Sequence, residues 1–390
     1  PHSSLLEVKS AFCNIRLINE NNNIRVFNRN DFIIADNKRF KITGFKQSDL
    51  FNKSTIEVSD FVLMPKESAV IYKIEDLDCI YTFDICDGNQ HIGHFQFIGD
   101  KFSLQSQFPP LNNTNNQFRN NVSNLQFDGI TYQMTVDKKT GLISKIKTQE
   151  YDILNDSLIR VSRAPLDNDM FEFPTWEKYG LNDISINCVR YRIDKNIALL
   201  DIEITGKGFT ILTGMIKYTA YQNYVDVLFE VKVNEKIEYL PRLGFDLGIN
   251  PNFKKYCYFG FGPTESYVDK HHGAKIGYYC DIIKPEISYI KPQETMSHYM
   301  SKMIKFNIED KKFVVEGDFS FCYLPYSIEQ LSNTKHNYEL KSEMLNRLII
   351  DYYMSGIGSN SCGPKLKDKY KLMSKNINFQ FKIGVIDDDE

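Results

Sequence analysis

A two-residue alternation of apolar and polar side chains runs through most of this chain, and it confines the fold to β-sheet. In the run from Val225 to Val233, residues Val225, Val227, Phe229, Val231 and Val233 fall on one face of an extended strand, as a half-buried strand requires. Near the C-terminus Ile377, Phe379, Phe381 and Ile383 alternate in the same way. The run Ile130–Val136 is followed by Asp137-Lys138-Lys139-Thr140-Gly141 and then by Leu142–Ile146, which reads as a hairpin whose glycine supplies a positive φ. Short strands are also expected at 24–27 and 80–85. Tyr and Phe reinforce the reading, because aromatics make up 13% of the chain and favour strands. Helical signals are few, the clearest being Ser327 and Gln330 at capping-box spacing after Pro325.

A Pro/Asn/Ser-rich stretch between residues 103 and 127 lacks any sustained apolar period and reads as a connection between two β domains. The roughly 100 residues before it suffice for one immunoglobulin-like sandwich. The strand-rich remainder carries no detectable 20-to-50-residue repeat, which favours a single large antiparallel sandwich. The chain closes on Asp387-Asp388-Asp389-Glu390, expected to be a solvated, mobile tail.

Charge and composition exclude several classes. Lys and Arg number 47 against 50 Asp and Glu, a net charge of −3, so no positive field draws nucleic acid. No run approaches the ~18 uninterrupted apolar residues of a membrane span. Residues Pro1–Glu7 resemble no signal peptide, and a start at Pro1 is expected of a chain processed or cut from a longer one. The expected setting is cytoplasmic. The eight cysteines form no C-x-x-C pair, so reduced thiols are expected rather than a disulfide scaffold or a zinc ribbon.

No G-x-S-x-G, H-E-x-x-H or strand-borne G-x-G-x-x-G is present. The segment Gly358–Lys365 has P-loop spacing, but Pro364 stands where the phosphate-binding lysine would be, and it removes an N–H from the cradle. Four segments remain that combine turn residues with polar side chains. Arg163-Ala164-Pro165-Leu166-Asp167-Asn168-Asp169 can cap a turn, form a carboxylate–guanidinium fork or bond sugar hydroxyls. The next stretch, Met170–Trp176, concentrates aromatics and holds the only Trp; Phe171, Phe173 and Trp176 can stack on a sugar or simply belong to the core. In Gly260–His272, Glu265 is a candidate general acid or base, either alone or with His271 or His272, as epimerisation at a sugar's anomeric carbon needs. The adjacent histidines of a strand face opposite ways, so no metal site is expected there. Finally, the glycines of Ser355–Pro364 let backbone approach a ligand closely.

Together these segments resemble LacZ-type β-galactosidases of glycoside hydrolase family 2. Pro1–Lys9 resembles the stretch that leaves the family's catalytic barrel, Arg163–Asp169 its R-A-P-x-D-N-D signature, Gly260–Asp269 its G-x-G-P-x-E-x-Y-x-D segment, and Met354–Pro364 its late glycine loop. The resemblance implies an all-β chain: an immunoglobulin-like linking domain over 1–104, with 1–10 as the barrel exit, an entry segment over 105–127, a galactose mutarotase-like β-supersandwich over 128–386, and the tail 387–390. It implies hydrolysis of terminal β-galactosides such as lactose with retention, by two glutamates ~5–5.5 Å apart on a TIM barrel preceding this chain. The catalytic pair, and the Mg and Na ions of that barrel, are then absent from this chain, whose partner is the barrel of the same, homo-oligomeric enzyme. Asn360, Ser361 and Cys362 of the glycine loop, with Phe171, Phe173 and Trp176, are implied to complete the site, Cys362 standing where the family often has Trp. Arg163, Asp167, Asn168, Asp169 and Glu265 are implied to be structural signatures or sugar contacts. The alternatives are a separately encoded small subunit and a free-standing carbohydrate-binding or aldose-epimerase-like module.

Overall fold

The computed structural model describes residues 3–110, 116–285, 287–358 and 363–388. It divides into two compact units. The first comprises residues 1–105 with the segments 261–264 and 270–278, and the second takes in the rest.

The first unit begins with a helix, Ser3–Ala11, for which alternation gave no signal. The strands follow: β1 (Ile15–Glu20), β2 (Asn23–Asn28), β3 (Ala35–Asp36), β4 (Phe40–Gln47), β5 (Lys53–Ile56), β6 (Val62–Leu63), β7 (Ser68–Lys73), β8 (Ile80–Asp87) and β9 (Gln90–Ile98). They pair as a three-stranded sheet, β1-β2-β7, and a four-stranded sheet, β5-β4-β8-β9, with β3 and β6 forming a two-stranded ribbon. Ile15, Leu17, Ile24, Val26 and Ile71 from the first sheet share one buried cluster with Phe40, Tyr81, Phe83 and Ile85 from the second. The unit is therefore a β-sandwich with its own core.

The second unit is built on one large sheet, sixteen-stranded among the described residues, whose described registers are antiparallel. The two alternating runs that dominate the sequence prove to be neighbours. Strand Tyr224–Val233 pairs with Asn376–Asp387 so that Val225 faces Ile383, Val227 faces Phe381, Phe229 faces Phe379 and Val231 faces Ile377. All eight are buried in the main core. The expected hairpin is present, with Gly141 at φ +77° and its N–H donating to Asp137. Ser327 caps the helix Ile328–Asn333, its hydroxyl accepting from the Gln330 N–H.

Three local expectations are corrected. The stretch 103–127 carries buried and regular structure among its described residues: Phe108 and Phe118 are buried, and strands form at Arg119–Asn120 and Asn124–Asp128. The acidic tail is held for longer than composition suggests, since Asp387 ends the last strand and pairs with Lys311, while Asp388 pairs with Lys312. Cys257 and Cys280 are joined as a disulfide, so the thiols are not uniformly reduced.

Candidate functional site

The motif segments of the second unit converge on the backbone of Ser355–Gly358. Arg163, almost fully buried, forks onto Asp169 through Nε (3.1 Å) and Nη2 (2.7 Å). The same guanidinium donates to the carbonyls of Ser355 and Gly356. Asp169 also accepts from the Leu166 N–H at 3.0 Å, which closes the turn Asp167–Asp169. That turn aims the Asn168 amide at the Ile357 carbonyl, 2.6 Å away. From the other motif, Asp269 accepts the Ile357 N–H at 3.0 Å and the Gly358 N–H at 2.8 Å, one on each carboxylate oxygen. Gly356 is required here, because a Cβ would stand 2.6 Å from Asp269 Oδ2. Ser355 is tied down by Pro241, Leu240 and Leu372, and the Gly356 N–H by Tyr370. Leu166, Tyr267, Met354 and Ile357, drawn from all three motifs, make a small buried cluster of their own.

These polar groups hold a loop; they are not arranged around a reacting atom. Of the alternatives read from the sequence for Arg163–Asp169, the carboxylate–guanidinium fork and the capped turn are both present. Asp167 is the exposed member and pairs with Lys291. Asn360, Ser361 and Cys362, together with the P-loop-like spacing, lie outside the described residues. Glu265 is buried and accepts from the hydroxyls of Tyr289 and Thr295 and from the Met296 N–H. It belongs to the second unit, whereas His271 and His272 group with the first, where His272 lies 3.4 Å from Glu7. Among the described residues no three His, Cys, Asp or Glu side chains are grouped to hold a metal ion.

The aromatic stretch after Asp169 is corrected from loop to helix over Phe173–Tyr179, ended by Gly180 in the left-handed conformation. Trp176 is 3% exposed, packed edge-on against Phe173 with the Arg163 guanidinium 5.9 Å from its ring. Its face is thus covered by core. Phe173 is half-buried against the same core, and only Phe171 stands in solvent.

Beneath the loop lies an ion cluster that sequence reading missed. Arg242, fully buried, donates to both oxygens of Glu294 (3.1 and 3.2 Å) and to Asp351 (3.1 Å), with Nε 2.9 Å from the second Asp351 oxygen. Glu294 in turn donates its N–H to Ala164 of the R-A-P segment. A second buried carboxylate, Asp246, is shared by Arg160 and Arg347. The available signal was a charge inside strands that are wholly buried, Arg242–Ile249, or largely buried, Asn346–Met354.

One guanidinium between two buried carboxylates neutralises only one of them. Burial pushes the Asp351 carboxyl up to about 7 and also raises Glu294, in each case against the pull of Arg242. Between pH ~4, where an unfolded carboxyl titrates, and about 7, the native pair therefore holds a proton that the unfolded chain has released. Stability must fall as pH rises through that window. The urea midpoint of the wild-type chain, measured as its difference from Asp351→Asn, is expected to be lower at pH 8 than at pH 5; a rise would refute this assignment.

What fold and site define is a mostly β chain in which buried and half-buried polar residues of two motif segments frame a glycine loop. The chain belongs to the beta galactosidase small chain family, which matches residues 128–383. Relatives include the beta-galactosidases of Actinobacillus pleuropneumoniae, 30% identical over 98% of this chain and 40% of that protein, and of Staphylococcus xylosus, 28% identical over 99% and 41%. The chain spans about two fifths of the length of these relatives. Among solved structures, a galactose mutarotase related enzyme from Lactobacillus acidophilus covers 67% of this chain and is itself 97% covered, at 8% identity and a TM-score of 0.41. No helix among the described residues is long and apolar enough to cross a membrane.

Proposed function

We propose that the chain is the C-terminal, non-catalytic part of a retaining β-galactosidase of the LacZ type in glycoside hydrolase family 2. Its first unit would be the immunoglobulin-like linking domain and its second the mutarotase-like supersandwich. Two antiparallel sheets, β1-β2-β7 and β5-β4-β8-β9, sharing one core support the former. The observation that carries the proposal is the frame around Ser355–Gly358: two motif segments, Arg163–Asp169 and Gly260–Asp269, hold the carbonyls of Ser355, Gly356 and Ile357 and the N–H groups of Ile357 and Gly358, in a loop that leads on into 359–362. On this reading the loop presents residues 359–362 to a sugar bound by the barrel. The two glutamates that break the bond, and the Mg and Na ions, belong to that barrel, outside this chain. The partners are then the barrel portion, a terminal β-galactoside and further copies of the enzyme, in the cytoplasm.

A second reading, a separately encoded small subunit, is favoured by the family's own description as a small chain. The coding sequence upstream of Pro1 separates the two. The isolated chain is expected to be silent towards a nitrophenyl β-galactoside; turnover on the order of 1 per second or more would overturn both readings. Nothing favours the epimerase-like alternative, because Glu265 is committed to three donors. An NMR anomerisation assay with galactose checks it.

A further inference from the structure

The second unit's disulfide joins Cys257, half-buried, to Cys280, exposed, on two paired strands, Lys255–Gly262 and Lys275–Ile282. It lines a cavity of about 370 Å³ whose other walls include Lys255, Lys284, Lys305, Asn307 and Asp281. Three ammonium groups and one carboxylate give that cavity a net positive lining, although Lys284 also pairs with Asp281 at 3.3 Å. Of the other described cysteines, Cys86 is a half-buried free thiol. Cys13, Cys79 and Cys322 are buried, and burial raises the thiol pKa of each of them, as it does for half-buried Cys188. They are held as unreactive thiols. Cys257 and Cys280 alone combine a disulfide, solvent access and neighbouring cations. An exposed disulfide is the kind open to exchange.

We propose that Cys257–Cys280 is a thiol–disulfide exchange site for small anionic thiols, the lysine-lined cavity drawing in the anion and Cys280 being the sulfur attacked. The incoming thiolate forms a bond to Cys280 Sγ as the Cys257–Cys280 bond breaks, and Cys257 leaves as a thiolate that takes a proton from water. A second thiolate attacks the mixed disulfide and releases Cys280. Two small thiols are oxidised to their disulfide and the protein disulfide is reduced to two thiols. The cross-link spans the segment that carries Glu265 and Asp269, so its state bears on a stretch the second unit uses to hold the glycine loop.

The test uses the full-length protein purified without reductant, treated with glutathione or with cysteamine, a cationic thiol. Free thiols at 257 and 280 are followed by differential alkylation and peptide mass spectrometry, and each rate is divided by that reagent's rate with a small-molecule disulfide. The pair should be bonded as purified, and at low salt glutathione should open it ~10-fold faster than cysteamine, within the range electrostatic steering supplies. Lys284→Gln with Lys305→Gln should bring the ratio to about one. Complete alkylation of both cysteines in the untreated protein, or equal normalised rates in the wild type, overturns the proposal. The readout is mass rather than turnover, so it stands or falls apart from the galactosidase reading.

Discussion

Arg242→Met is expected to destabilise the chain more than any other single replacement, by about 3–5 kcal/mol, the range for breaking a buried ion pair by removing one partner. The reason is arithmetic of charge and solvent. Among the described residues Arg242 is the cation bonded to both Glu294 and Asp351, and all three are almost wholly shielded from water. Methionine fills the volume but leaves two carboxyls buried with no donor. Both would have to take up protons, or water would have to enter the core. For a chain with the usual ~5–15 kcal/mol of stability, this is a large fraction of the total. Urea unfolding of the isolated chain measures it. Because Arg242→Met can abolish folding outright, the companion is Arg242→Met with Glu294→Gln and Asp351→Asn, in which no member of this cluster carries charge. It should recover most of the loss, since it is the uncompensated charge and not the missing pair that costs most. A single variant within ~1 kcal/mol of wild type, the scale of an ordinary substitution, would mean the cluster is solvated in a way its burial denies.

That cluster also marks where sequence reading ends. Period-two alternation located Tyr224–Val233 and Asn376–Asp387 with their buried faces, because one side of each strand meets the core and the other meets water. It was blind to Arg242–Ile249, every residue of which is buried: a strand enclosed on both faces has no alternation to read. The helix Phe173–Tyr179 was missed for a related cause. The stretch Met170–Trp176 shows concentrated aromatics and a proline but no helical period, and what makes the segment helical is the tertiary burial of Trp176 together with the Gly180 cap. In the site, residue types singled out Arg163 and Asn168, and placed Asp269 only within a motif segment, without disclosing what these side chains act on. Their partners are backbone groups of residues 355–358, some 90 to 190 positions away, and a carbonyl or an N–H has no signature in sequence.

Asp269→Asn tests whether this frame serves function, and its expected effect is a ~10- to 100-fold fall in kcat/KM for a nitrophenyl β-galactoside in the full-length enzyme. Asp269 is a positioning residue: one oxygen takes the Ile357 N–H and the other the Gly358 N–H. Asparagine keeps one acceptor and turns an N–H towards the other amide, losing a charge-assisted bond of about 1.5–3 kcal/mol, which at 1.36 kcal/mol per tenfold gives the range stated. Gly356→Ala attacks the same contact from the opposite side, since its methyl would meet the Asp269 carboxylate at 2.6 Å. The two variants disturb one interaction, so the double variant should lose little more than either alone. Hydrogen exchange in the isolated chain separates structure from function. The amides of Ile357 and Gly358 should exchange ~10- to 100-fold faster in Asp269→Asn, matching the lost bond energy, while the strand Asn346–Met354 keeps its protection. If those amides are unmoved, Asp269 does not hold the loop. If they are released and turnover is unchanged, the loop is held for stability alone, and residues 359–362 do not reach the sugar.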